Sequence, residues 1–184
     1  MATTTSPASV LTWKLDPAHS SAEFKVKHMM ISNVKGRFSG LSGTLTEHLV
    51  DSTLSSVEAN VDVSTITTGD PQRDGHLKSA DFFDAEKYPT ITFKSTQVEP
   101  KGEGEYKVSG DITIHGVTKP VTFAVEGPTP PAKDPWGNTR IGLSATTKIN
   151  RKDFGLNWNA ALETGGFLVG EDVHITLDVQ FIKA

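Results

Sequence analysis

The stretch SAEFKVKHMM, residues 21–30, alternates strictly: Ala22, Phe24, Val26 and His28 share one face, and Ser21, Glu23, Lys25 and Lys27 share the other. A period of two marks a β-strand with one buried face, because successive side chains of an extended chain point to opposite sides. His28 closes the apolar face. It has two readings: it bonds the protein's own backbone or a carboxylate, or it is the polar point of an apolar pocket and meets a ligand there.

The same alternation recurs along the chain. In SNVKGRFSGLSGTLTEH (32–48), Val34, Gly36, Phe38 and Gly40 share a phase, and Leu41, Gly43 and Leu45 take the other. The slip predicts a bent strand with a bulge. LSSVEANVDVST (54–65) alternates on Val57, Ala59, Val61 and Val63, and TITFKSTQV (90–98) is led by Ile91 and Phe93. EYKVSGDITIH (105–115) puts Tyr106, Val108, Gly110, Ile112 and Ile114 in phase; Val121, Phe123 and Val125 follow the turn HGVTKP. TRIGLSATTKINR (139–151) aligns Ile141, Leu143, Ala145, Thr147 and Ile149, and VHITLDVQFI (173–182) aligns Val173, Ile175, Leu177, Val179 and Phe181. PTPPAKDPWGN (128–138) is too proline-rich for regular structure. One helical segment is expected near 73–83, RDGHLKSADFF, with Asp74 as a candidate N-cap.

Long sequential strands joined by short turns predict an all-β, eight-stranded antiparallel up-and-down sheet. Closing it into a barrel removes both exposed edges. Residues 1–10, small and polar, read as a flexible tail, and 11–184 as a single barrel domain.

The expected wall is Phe24, Val26, Phe38, Val61, Ile91, Phe93, Ile112, Ile114, Phe123, Leu143, Ile149, Ile175 and Leu177, with His28 near one end. Small residues on the same faces (Ala22, Gly36, Ala59, Gly110, Ala145) point to an unfilled, apolar, elongated interior suited to a lipid tail. The alternative is that these residues accommodate twist and neighbouring Phe rings. The barrel is then solid, and the protein is a structural or interaction protein without a ligand. A third reading, an enzyme acting on a bound lipid, needs a convergent polar cluster inside, and few charged residues fall in phase.

Composition narrows the classes. The 184 residues include no Cys, which removes disulfides, thiol nucleophiles and cysteine-held metals. Net charge is −4 and no run of Lys and Arg could track a phosphate backbone, so no nucleic-acid partner is expected. No apolar run of about 18 residues predicts a membrane span. MATTTSPASV has neither a basic nor an apolar signal region, so a cytoplasmic location is expected. The six histidines are scattered without HxH, HExxH or HxxxH spacing, and G-x-S-x-G is missing, so no metal, cofactor or hydrolase site is expected. His19, in DPAHS, reads as a turn residue.

Two segments are candidates for a gate or head-group site. Leu77, Phe82 and Phe83 form the apolar underside of the helical segment, while Arg73 and Lys78 could reach an anionic group at the rim. Arg151 follows Ile149 in the inward phase; it pairs with a structural carboxylate such as Asp153 or Asp16, the preferred reading, or binds a phosphate or carboxylate. The loop at 128–138 is a candidate homodimer contact.

Four blocks, in order, carry a family resemblance: LDPAHSSAEFKVKHMMISNVKGRFSGLSGTL (15–45), VDVSTITTGDPQRDGHLKSADFFDAEKYPTITFKS (61–95), GDITIHGVTKPVTF (110–123) and INRKDFGLN (149–157). Together they resemble YceI-like proteins over nearly all of residues 13–182. The resemblance implies a lipocalin-like eight-stranded barrel that binds a polyisoprenoid, isoprenoid quinone or related long-chain amphiphile, for storage, transport or sequestration. Many members of that family are periplasmic.

Overall fold

The structure is a computed structural model that describes residues 9–160, 162 and 168–184. It contains eleven strand segments and one α-helix: β1 (Val10–Leu15), β2 (Ser21–His28), β3 (Ser32–Phe38), β4 (Leu41–His48), β5 (Ser56–Asp62), α1 (Pro71–Lys78), β6 (Thr90–Gly102), β7 (Glu105–Ile114), β8 (Val117–Glu126), β9 (Ala132–Lys133), β10 (Thr139–Asn150) and β11 (Val169–Lys183). The eight strands of the barrel emerge once two pairs of segments are joined. β1 and β2 are one ribbon broken by a 3-10 turn at Pro17–His19, and β3 and β4 are one ribbon bent at Ser39 and Gly40. Each ribbon then pairs in sequence with the next, and β11 closes the ring by pairing β10 on one edge and β1 and β2 on the other. All pairings are antiparallel, so the closed meander matches the expected fold class.

Three expectations about boundaries change. The tail expected over residues 1–10 ends earlier: residues 1–8 lie outside the described residues, but Val10 already pairs with His48. The break after Leu15 follows from Asp16-Pro17, since the Asp16 carboxylate accepts the Ala18 N–H and bonds His19 Nδ1 at 2.8 Å, which gives His19 its turn role. The helix begins at Pro71, where the carboxylate of Asp70 caps the N–H groups of Gln72 and Arg73. Asp74 instead accepts from the N–H and hydroxyl of Thr68. Ala132 and Lys133, inside the proline-rich loop, add a short edge to β10.

One end of the barrel, the turn end, carries the β4–β5 and β6–β7 turns and the loop before β10. The other, the helix end, carries the β2–β3 hairpin, the 63–89 segment with α1, and the chain after β10. The 63–89 segment is pinned at its base by the Val63 N–H to Pro89 carbonyl bond and meets β3, on the edge not paired with β2, through the Arg37–Thr67 bridge. At the turn end, Arg140 bonds Asp134 at 2.7 Å and also Asp16, fastening the loop to the β1 corner. These bonds hold the Asp16 carboxyl below the usual carboxylate range. For Asp134, burial pushes the pKa up, but the bonds from Arg140 and from the backbone N–H groups of Asn138 and Trp136 outweigh it and bring it to about 2.

The inward faces form two clusters of buried side chains, one around Trp13, Phe38, Leu41 and Phe181, the other around Ile112, Phe123 and Phe154. Phe83, from the segment after α1, packs against both. Two of the small inward residues do accommodate rings: a Cβ at Gly36 would meet Phe24 at 2.3 Å, and one at Gly110 would meet Phe93 at 2.7 Å. Even so, the interior is not filled.

Candidate ligand-binding cavity

Between the clusters a cavity of about 700 Å³ runs the length of the barrel. Its middle is aliphatic and aromatic, with Ala59, Phe93, Ile112, Phe123, Leu143 and Leu177 drawn from six strands. Each points inward because it holds the buried phase of its strand, and paired positions such as Ala59–Phe93, Phe93–Ile112 and Ala145–Leu177 stack side by side around the wall. At the turn end the cavity reaches the surface beside Leu49 and Val50, the latter 84% exposed.

Polar side chains enter at the ends. At the helix end His76 stands edge-on to Trp158 (centroids 4.7 Å apart) and to Phe82 (5.1 Å), and its Nε2 bonds Asp81 at 2.9 Å. Leu77, Phe82 and Phe83 line this end, so the underside expected of the helical block does face the cavity. Arg73 lines it too, with Nε donating to the Thr68 hydroxyl (2.8 Å) and an Nη to the Thr68 carbonyl (2.9 Å). Lys78 does not line the cavity. Helix geometry explains the difference: Arg73 and Leu77, four residues apart, share a face that Lys78 leaves by one residue.

Arg151 corrects the expectation of a carboxylate partner. It sits in the 3-10 turn after β10, where strand phase no longer applies, and is only 3% exposed. Its guanidinium donates to the backbone carbonyls of Gly170 (2.7 Å), Trp158 (3.0 Å), Val169 (3.2 Å) and Leu156. None of the ion pairs among the described residues includes it; Asp16 pairs with Arg140 instead. Burial pushes its pKa down and Glu171 pushes it up, but a guanidinium stays charged. The result is a positive charge beside an apolar cavity, held by dipoles only.

All of the wall residues expected from the alternation line the cavity, as does His28 at the end of β2. The alternation missed others. Val98 escaped because a bulge between Ser95 and Gln97 reverses the phase of β6. Leu156 and Trp158 lie in a loop, where no period exists to read. Leu45 and Phe181 were in phase and could have been named with the rest.

A family model for the YceI-like domain matches residues 13–181. The chain belongs to the YceI-like family. A UPF0312 protein of Vibrio cholerae is 45% identical over 139 residues, covering 76% of this chain and 73% of that protein. Among solved structures, Burkholderia cenocepacia BcnA superposes with a TM-score of 0.76 at 25% identity, over 90% of this chain and 98% of BcnA. A polyisoprenoid binding domain from Saccharophagus degradans, implicated in plant cell wall breakdown, has a TM-score of 0.67 at 18% identity, over 95% and 99% of the two chains. At that identity the likeness is one of fold. The barrel of this YceI-like chain is thus the family's architecture.

Proposed function

We propose that this YceI-like barrel sequesters one long-chain apolar amphiphile, of the polyisoprenoid or isoprenoid-quinone class, with its tail along the barrel axis. The observation that carries this is the continuous cavity of about 700 Å³ whose middle is walled almost entirely by hydrocarbon side chains. At roughly 30 Å³ for a group the size of a water molecule or methylene, it holds about 20 heavy atoms. Burying a methylene contributes about 0.8 kcal/mol, so a tail of about 20 carbons gains at most about 16 kcal/mol before ordering costs. That leaves room for micromolar or tighter binding with few polar contacts. The fold shared with a polyisoprenoid binding domain supports the tail class.

The head group belongs at the helix end, where Arg73, Arg151, His28 and His76 line the cavity. The two guanidiniums, with the N–H groups of the imidazoles, favour a head that is anionic or rich in acceptors. Sequestration needs no catalytic group, and the cavity's polar side chains stand at its ends, away from the hydrocarbon middle.

Trp158 provides the test. It lines the cavity, so its emission should shift and saturate at one equivalent as a long-chain isoprenoid is titrated in. Trp158→Phe should remove that signal while a radiolabelled ligand still binds. No saturable binding of any isoprenoid by the folded protein would refute the proposal.

A further inference from the structure

The hairpin between β2 and β3 turns at Met29 and Met30, with φ of 52° and 58°, and the Ile31 N–H donates to the His28 carbonyl at 3.1 Å. A tight hairpin with two positive-φ residues usually takes Asn-Gly, because left-handed backbone disfavours any residue with a Cβ. Here two methionines hold it, and the tip stands in water: Met29 is 41%, Met30 67% and Ile31 78% exposed. Three consecutive exposed apolar residues at a strained turn ask for a partner.

The sheet beside the tip supplies the partner's charge. Lys148 pairs with His174, His174 with Lys25, and Lys25 with Lys35, a lateral row of basic residues across β10, β11, β2 and β3 on the outer face. Lys27 is exposed one step nearer the tip. Like charges directly opposite destabilise a sheet, so Lys25 facing Lys35 is a cost to the isolated protein. Of the nearby carboxylates, Glu171 bonds Lys152, Asp172 lies 3.7 Å from Lys148 and offsets that end of the row, and Glu23 sits opposite Arg37. Among the described residues no ion pair includes Lys25, Lys27 or Lys35. The whole chain is nonetheless acidic, at −4.

We propose that this hairpin docks the barrel on an anionic lipid bilayer, with Met29, Met30 and Ile31 entering the interface and Lys25, Lys27 and Lys35 meeting the head groups. An apolar tip with basic shoulders is the pairing that peripheral membrane binding requires. The basic row beside the tip separates the hairpin from the other exposed apolar site. The turn end also exposes Leu49, Val50 and Leu54, but it carries Glu47, Asp51 and the directly opposed Glu105 and Glu126, which an anionic surface repels. His28, at the base of the hairpin, lines the cavity, so docking here sets the helix end of the cavity against the bilayer. The inference rests on exposed residues and stands apart from the identity of the cavity's ligand.

Sedimentation with vesicles tests it. The full chain should bind vesicles of phosphatidylcholine mixed with an anionic phospholipid, and release as salt rises. Met30→Asp combined with Ile31→Asp should weaken binding at least tenfold. Lys25→Ser with Lys35→Ser should weaken it by roughly 25-fold, about fivefold per lysine, on anionic vesicles only. Leu54→Asp, exposed at the turn end and outside the cavity lining, should leave it unchanged. These variants are all at exposed positions, and isoprenoid affinity measured in solution on the same variants should not move, which separates docking from cavity binding. The proposal is overturned if the wild type ignores anionic vesicles, if it binds neutral ones equally, or if the tip variants bind as well as the wild type. It is also overturned if the tip variants merely dissolve a dimer seen by sedimentation velocity without any vesicle binding.

Discussion

Ala59→Phe tests the cavity without removing anything that holds the fold together. Ala59 lies on the inward phase of β5, between Gly43 of β4 and Phe93 of β6, and lines the cavity. A phenyl ring there points into space that the tail would occupy. If it displaces about four methylenes, the loss is about 3 kcal/mol at about 0.8 kcal/mol each, or about 150-fold in Kd. Stability should hold or rise, because the ring fills space instead of opening it. The control is Asn60→Phe, one residue along and exposed, which should leave Kd unchanged. The assay is isothermal titration with a C20 isoprenoid, together with a urea melt of each variant. A folded Ala59→Phe protein with wild-type affinity, or an equal loss in Asn60→Phe, would show that the tail does not lie along this wall.

Three further outcomes follow from the same geometry. In a series of isoprenoids of rising length, affinity should climb roughly fourfold per added methylene equivalent and level off near 20 carbons, once the cavity is full; calorimetry across the series checks this. Arg151→Lys should lower unfolding free energy by about 3 kcal/mol in a urea titration, because an ammonium cannot reach four separate carbonyls and several are left unpaired. The depressed carboxyls of Asp16 and Asp134 stabilise the fold while ionised. That stability is present above their ordinary range near pH 4 and is lost as pH falls below it, for Asp134 towards about 2. Arg140→Gln should flatten this part of the acid limb in melts between pH 2 and pH 5, and an unchanged limb would assign the effect to other groups.

Much of the barrel was legible because its walls obey a period of two over long stretches: TRIGLSATTKIN gives β10 almost to the residue. Legibility failed where the period is broken by local chemistry. Pro17 and the Asp16 side chain interrupt the first ribbon and hide β1, and the bulge after Ser95 hides Val98. The helix, Pro71–Lys78, starts two residues before and ends five residues before the expected 73–83; Asp70 caps it, and only the fold decides that Asp74 serves Thr68. Long-range partners were the least readable. Nothing local to Arg151 says that it turns back onto carbonyls near 156–170, and nothing local to Asp16 says that its cation is Arg140. The small residues split between the two readings considered: Gly36 and Gly110 make room for rings, while Ala59 and Ala145 border open space.

The central claim is that the barrel holds an isoprenoid tail, and native mass spectrometry of the purified protein tests it most directly. The account predicts a complex of one protein and one lipid, formed as purified or after incubation with a mixture of long-chain isoprenoids, whose extracted ligand is a single class of long-chain amphiphile. A protein that stays at its unliganded mass after that incubation would contradict it.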